Sequence, residues 1–158
     1  PQVVSELTGA YDKFWESLLH TDTLLSRHII GSSEAPSTRL NGMDWYRGGS
    51  PWHQLHLKRQ RQNGVWAVSV ARAGKYRFEL RWYPREAPTA IGAIGASVRV
   101  GKGFAYVDTI PEAPYVVLEL ELAQGDYDME TAFKLPKEAE QERSWGAYFV
   151  HVDYEGKE

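Results

Sequence analysis

Aromatic side chains set beside charged ones, in two stretches bracketed by Gly and Pro, are the residues of this chain best suited to chemistry. The first stretch carries Trp45, Tyr46 and Arg47, with Pro51, Trp52 and His53 just behind. The second carries Trp82, Tyr83, Arg85 and Glu86 around Pro84. Exposed aromatic rings are flat platforms for the apolar faces of sugars. A guanidinium donates paired hydrogen bonds to an oxyanion such as sulfate. Each group also has a plainer explanation. A Trp buries a large area and is common in cores and interfaces. Trp66 and Trp82 fall on the apolar side of alternating runs and are expected in the core, whereas Trp45 and Trp52 are open to either a core or an exposed, interfacial position. Around Pro84 an ion pair stabilising the strand end is expected, either Arg85 with Glu86 or one across strands, with Arg81 close by.

Other constellations are weaker. His53 and His56 form an H-x-x-H pair, but on a strand residues three apart point to opposite faces, so a shared metal is not expected. Asp126, Asp128 and Glu130 line one face of a strand; calcium takes such oxygen ligands, and a solvated acidic face is the commoner outcome. The Gly92–Ala96 stretch lacks the helix that a phosphate-binding loop needs. No Ser-His-Asp or paired-carboxylate pattern stands out. No catalytic residue, metal or cofactor is expected within the chain.

Composition narrows the classes further. With 158 residues, 42% of them hydrophobic, one domain with a sizeable core is expected. The net charge of −3, with both signs interspersed, matches neither nucleic acid nor an anionic membrane. No apolar run approaches the ~20 residues that span a bilayer, and no signal peptide is visible. The chain has no Cys, so disulfides are excluded and the compartment stays open.

The elements that must position the aromatic groups read mostly as strands. Val4, Leu7, Tyr11, Phe14, Trp15 and Leu18 recur at helical spacing, so residues 1–22 are expected to be one amphipathic helix, with Ser5 a possible cap. Its stripe should dock either on the sandwich or on another domain. Residues 23–158 should form the β-sandwich. Ser26–Ile30 reads as a strand, Gly31–Ser50 as a long loop and Gln54–Arg59 as a further strand. Asn63–Ala87 is the clearest pattern. Trp66, Val68 and Val70 alternate with Ala67 and Ser69, and Tyr76, Phe78, Leu80 and Trp82 alternate with Arg77, Glu79 and Arg81. Ala73-Gly74 between them suggests a hairpin. Later strands are expected at Ala96–Val100, Phe104–Val107, Tyr115–Leu122, Tyr127–Phe133 and Trp145–Tyr154, with 134–143 an exposed loop. Eight to nine strands after one helix fit a mostly β, antiparallel β-sandwich or jelly roll, galactose-binding-like in type.

Four stretches together resemble the C-terminal domain of bacterial sulfatases related to the arylsulfatases: YDKFWES (11–17), RHIIG (27–31), the run 63–87, and GAYFVHV (146–152). The resemblance implies a parent hydrolase that cleaves sulfate esters, periplasmic or secreted, with a formylglycine nucleophile and calcium in a catalytic domain. That domain's Cys/Ser-x-Pro-x-Arg signature is not in this chain, where Ser33-Glu34-Ala35-Pro36 has the wrong spacing. The resemblance therefore implies a non-catalytic accessory domain, its partner being the sulfatase catalytic domain. Tyr11, Phe14 and Trp15 would be candidates for the domain interface. Trp45, Tyr46, Arg47, Trp52, His53, Tyr83, Arg85 and Glu86 would be candidates for contact with substrate or with the catalytic domain. Two rivals stand beside it: a carbohydrate-binding module, and a purely structural interaction domain.

Overall fold

Alternation builds ten strands, and the apolar sets of those strands face one another across a single interior. The computed structural model describes residues 2–19, 25–49, 51, 53, 55, 62–136 and 145–156. Helix α1 spans Gln2–Leu19. The strands are β1 (His28–Ile30), β2 (Ser37–Asn41), β3 (Arg47–Gly48), β4 (Gly64–Val70), β5 (Gly74–Arg81), β6 (Gly95–Val100), β7 (Gly103–Asp108), β8 (Val116–Leu122), β9 (Gly125–Lys134) and β10 (Phe149–Gly156). One sheet has the order β1-β4-β9-β6-β7, with β3 also on β4; the other has the order β2-β10-β5-β8. The result is the expected mostly β, jelly-roll-like sandwich with one N-terminal helix. All pairs are antiparallel except β1 with β4, which is parallel.

The hairpin expected within 63–87 does not form. β4 lies in the six-stranded sheet and β5 in the four-stranded one, so Ala71–Ala73 is an arch that carries the chain across the core. The physical reason is that both strands present apolar residues inward: Trp66, Val68 and Val70 meet Tyr76, Phe78 and Leu80 face to face, all at most 1% exposed. Strands β8 and β9 are likewise split between the sheets, whereas β6 and β7 are a true hairpin turning at Gly101-Lys102. The long loop expected at 31–50 holds β2, a 3-10 turn at Gly42–Asp44 and β3. The turn is capped by Asn41, whose side chain accepts from the Met43 N–H at 2.9 Å. The strand expected at 54–59 falls largely outside the described residues.

Trp66 is the centre of the core. It is fully buried, and its indole N–H donates to the Asn41 carbonyl at 2.8 Å, which satisfies the one polar atom it takes inside. Helix α1 contributes nothing to this core. None of its residues is buried, so the expectation that its stripe packs on the sandwich is not met. Ser5 lies inside the helix rather than at its start.

Candidate functional site

The aromatic residues of the first loop part company in the folded chain. Trp45 is only 7% exposed and packs edge-on against Trp66 at 5.4 Å and against Tyr148 at 5.5 Å. It is a core residue, not a platform. Gly64 makes this possible, because a Cβ there would run into the Trp45 ring. Tyr46 and Arg47 turn the other way, onto the outer face of the six-stranded sheet. The Tyr46 hydroxyl donates to Asp128 at 2.7 Å, Arg47 pairs with the same carboxylate, and the guanidinium lies 4.8 Å from the Tyr46 ring centre. Trp52 lies outside the described residues, as does His56. His53 is exposed, and its Nδ1 accepts from the Leu55 N–H at 3.1 Å.

Residues of the second loop lie on the opposite face of the sandwich. Trp82 is half-buried against Trp145 at 4.2 Å, edge-on, and Tyr83 leans on Trp82 at 5.6 Å. Of the two forms of ion pair expected here, the direct Arg85–Glu86 one is not made, and pairs to other residues are. Arg85 donates twice to Glu79, both at 2.9 Å, and Glu86 faces Arg39 at 3.8 Å. Arg81 also donates to Glu79, at 2.5 Å. This side is a closed ion-pair network, in which each guanidinium already holds a carboxylate. Arg81 was expected to face water. It points outward from the sheet, yet its side chain is only 9% exposed, with its guanidinium 4.8 Å from the Tyr115 ring centre.

A different aromatic group emerges on the outer face of the six-stranded sheet. Ala96, Val98 and Val100 of β6 and Met129, Thr131 and Phe133 of β9 point inward and are at most 4% exposed. Their neighbours therefore point outward. Register aligns Val65, Glu130, Arg99 and Phe104 in one row, Ala132, Ser97 and Tyr106 in the next, and Lys134, Gly95 and Asp108 in a third. Phe104 is 53% and Tyr106 44% exposed. The Tyr106 ring lies over Gly95, where a Cβ would stand 2.8 Å from the ring carbon Cζ. The glycine thus lets the hydroxyl end of the ring come down onto the sheet while the residue stays 44% exposed.

Polar groups fix this ring at both sides. Its hydroxyl donates to Asp108 at 2.7 Å, and the Lys134 amine lies 5.9 Å from its centre. The hydrogen bond to Asp108 raises the Tyr106 pKa above its usual value, as the one to Asp128 does for Tyr46. Both phenols therefore stay protonated at neutral pH. Arg99 lies 4.8 Å over the Phe104 ring. The charges of this face balance: Arg27 pairs with Asp126 at 3.2 Å and Arg47 with Asp128, while Arg99 and Lys134 stand among Glu130 and Asp108. Two carboxylates of the β9 acidic ladder, Asp126 and Asp128, are thus engaged by arginines. Between the rings the floor is made of small residues, Ser97, Ala132 and Gly95. From β4 to β7 the face is about 14 Å wide. A planar, electrically neutral ligand rich in hydroxyls fits such a surface, with rings below and mixed donors and acceptors around.

Sequence reasoning placed Phe104–Val107 on a strand without singling it out. The signal was present: two aromatics two apart, on one face, opposite Arg99 and Ser97 in the paired strand, with Gly95 next along that face. Recognising it required the β6–β7 register.

No protein-family model matches the chain, and no curated protein matches it. Several solved structures resemble it in fold. A CBM35 from Cellvibrio japonicus Abf62 superposes with a TM-score of 0.48 at 15% identity, covering 77% of this chain and 94% of its own. The carbohydrate-binding module CBM6cm-2 from Cellvibrio mixtus lichenase 5A, in complex with cellotriose, gives 0.45 at 9% identity, over 75% and 98%. The C-terminal CBM6 of LamC, a laminarinase from Zobellia galactanivorans, gives 0.43 at 7% identity, over 74% and 98%. At this distance nothing about the ligand of this chain follows from these likenesses.

Proposed function

We propose that this chain is a non-catalytic carbohydrate-binding β-sandwich, and that a sugar ring stacks on Tyr106 on the outer face of the six-stranded sheet. The observation that carries the proposal is the Tyr106 ring lying over Gly95, anchored through its hydroxyl to Asp108 and left 44% exposed. A ring held in this way loses little side-chain entropy on binding, which is what makes a preformed platform effective. The flanking Lys134, Asp108, Ser97 and Arg99 supply donors and acceptors for hydroxyls.

The test is affinity electrophoresis and calorimetry against a panel of soluble plant, algal and sulfated polysaccharides. At least one should bind, and Tyr106→Ala should weaken it tenfold or more, about 1.4 kcal/mol, with the melting curve unchanged. Binding that survives Tyr106→Ala and Phe104→Ala together, or no binding across the panel, refutes the proposal.

A second proposal concerns the parent protein. The sulfatase-like stretches 11–17, 27–31, 63–87 and 146–152 support an accessory domain of a sulfatase, whose catalytic domain would hold the calcium. Reading the gene upstream of Pro1 tests it: a Cys/Ser-x-Pro-x-Arg signature is expected, and a frame without one removes the proposal.

A further inference from the structure

We infer that α1 is a self-pairing segment, and that two copies of this chain join through it as a short two-stranded coiled coil. Val4, Leu7, Tyr11, Phe14 and Leu18 follow one another at intervals of three, four, three and four residues. This is the 3-4-3-4 seam spacing of a coiled coil, with further apolar residues, Val3, Trp15 and Leu19, beside it. Val4 and Leu7 are both 66% exposed, Tyr11 61% and Phe14 59%, so the sandwich does not cover the seam. Tyr11 and Trp15 already stack, 6.4 Å apart and 12° from parallel.

The positions flanking the seam favour a copy of the same helix as occupant. Val3, Thr8, Ala10, Trp15 and Ser17 are uncharged, whereas Glu6, Asp12, Lys13 and Glu16 all fall on the far side. A two-fold pairing therefore sets apolar residues against apolar residues and opposes no like charges. The size also suits a dimer. Aromatic side chains bury about 150–250 Å² each when covered. Tyr11, Phe14 and Trp15 expose half or more of theirs. With Val4 and Leu7, the pair would bury roughly 1,000 Å² in total, the lower bound of a specific interface. A weak dimer is expected, with a dissociation constant in the micromolar range. Each dimer would carry two Tyr106 platforms, so binding to a polymer would gain from effective concentration. That consequence rests on the carbohydrate proposal; the dimer itself does not.

Sedimentation equilibrium from about 5 to about 500 µM, a range that brackets such a constant, tests the pairing on the full chain. The wild type should pass from monomer to dimer. Leu7→Glu combined with Phe14→Glu should stay monomeric throughout, with the sandwich melting unchanged. Because the double variant could also unfold the helix, a second measurement uses single cysteines in this Cys-free chain. Tyr11→Cys on the seam should cross-link into dimers on mild oxidation, and Lys13→Cys on the far side should not. A wild type that stays monomeric at the highest concentration overturns the inference. So does a dimer that survives the double substitution, equal cross-linking at both cysteines, or a monomer whose α1 captures a lipid vesicle or another domain instead. An intact dimer that binds no polysaccharide refutes the sugar proposal alone. Glycan binding by a strictly monomeric wild type refutes the dimer alone.

Discussion

Replacing Glu79 by Gln removes the centre of the ion-pair network on the four-stranded sheet, and the structure sets both the size and the pH dependence of the loss. Glu79 is 5% exposed and stands opposite His151 in β10 and Val117 in β8. Burial alone would raise its pKa. Hydrogen bonds from Arg85 and Arg81 outweigh that and hold the carboxyl down to about 2, against an ordinary 4.5. The difference corresponds to about 3 kcal/mol of stability. A depressed folded-state pKa contributes fully above the unfolded value and is lost as pH falls through the folded one. The contribution is therefore complete at neutral pH and fades between about pH 4.5 and 2. In Glu79→Gln the carboxylate is missing at every pH, and Arg81 is left buried without its counter-ion, a cost of similar size. Urea unfolding followed by Trp fluorescence measures this directly. Wild type should exceed the variant by about 3 kcal/mol at neutral pH, and the two should converge as the medium is acidified. A gap below about 0.5 kcal/mol at neutral pH, or one that stays constant on acidification, refutes the reasoning.

Two further outcomes follow from packing. Trp66→Ala empties the centre of the core and strands the Asn41 carbonyl it hydrogen-bonds; a loss of about 3–5 kcal/mol is expected in the same urea assay. Gly95→Ala puts a methyl group where the Tyr106 ring now lies. It should lift the ring, shift the Tyr106 ring resonances in NMR spectra and weaken polysaccharide binding severalfold, with the fold retained.

The faces of the strands were legible in the sequence. Val116, Leu118, Leu120 and Leu122 were expected on one side of β8, and all four are buried. Met129, Thr131 and Phe133 behave likewise in β9. Trp66 was correctly placed in the core for the same reason. The candidate site was legible only in fragments. Tyr46 and Arg47 do reach an open face, but Trp45 beside them turns inward, because Gly64 leaves room for its ring. Arg85 and Glu86 are adjacent in the chain yet pair with Glu79 and Arg39, partners brought near by the sheet and by no local spacing. Phe104 and Tyr106 gained meaning once Arg99 and Ser97 were seen across from them, with Gly95 beside Ser97 on the same face.

What the chain determined by itself is which side of each strand is oily, since a residue's side alternates with its number and needs no partner to do so. What the tertiary structure decided is which strand lies beside which. Residues 63–87 have the marks of a hairpin, but two ribbons with matching apolar faces bury more surface when stacked than when laid edge to edge, and so the chain arches from one sheet to the other. The same rule leaves α1 unresolved within one copy. Its oily stripe is plain in the sequence, yet none of its residues is buried against the sandwich of the same copy.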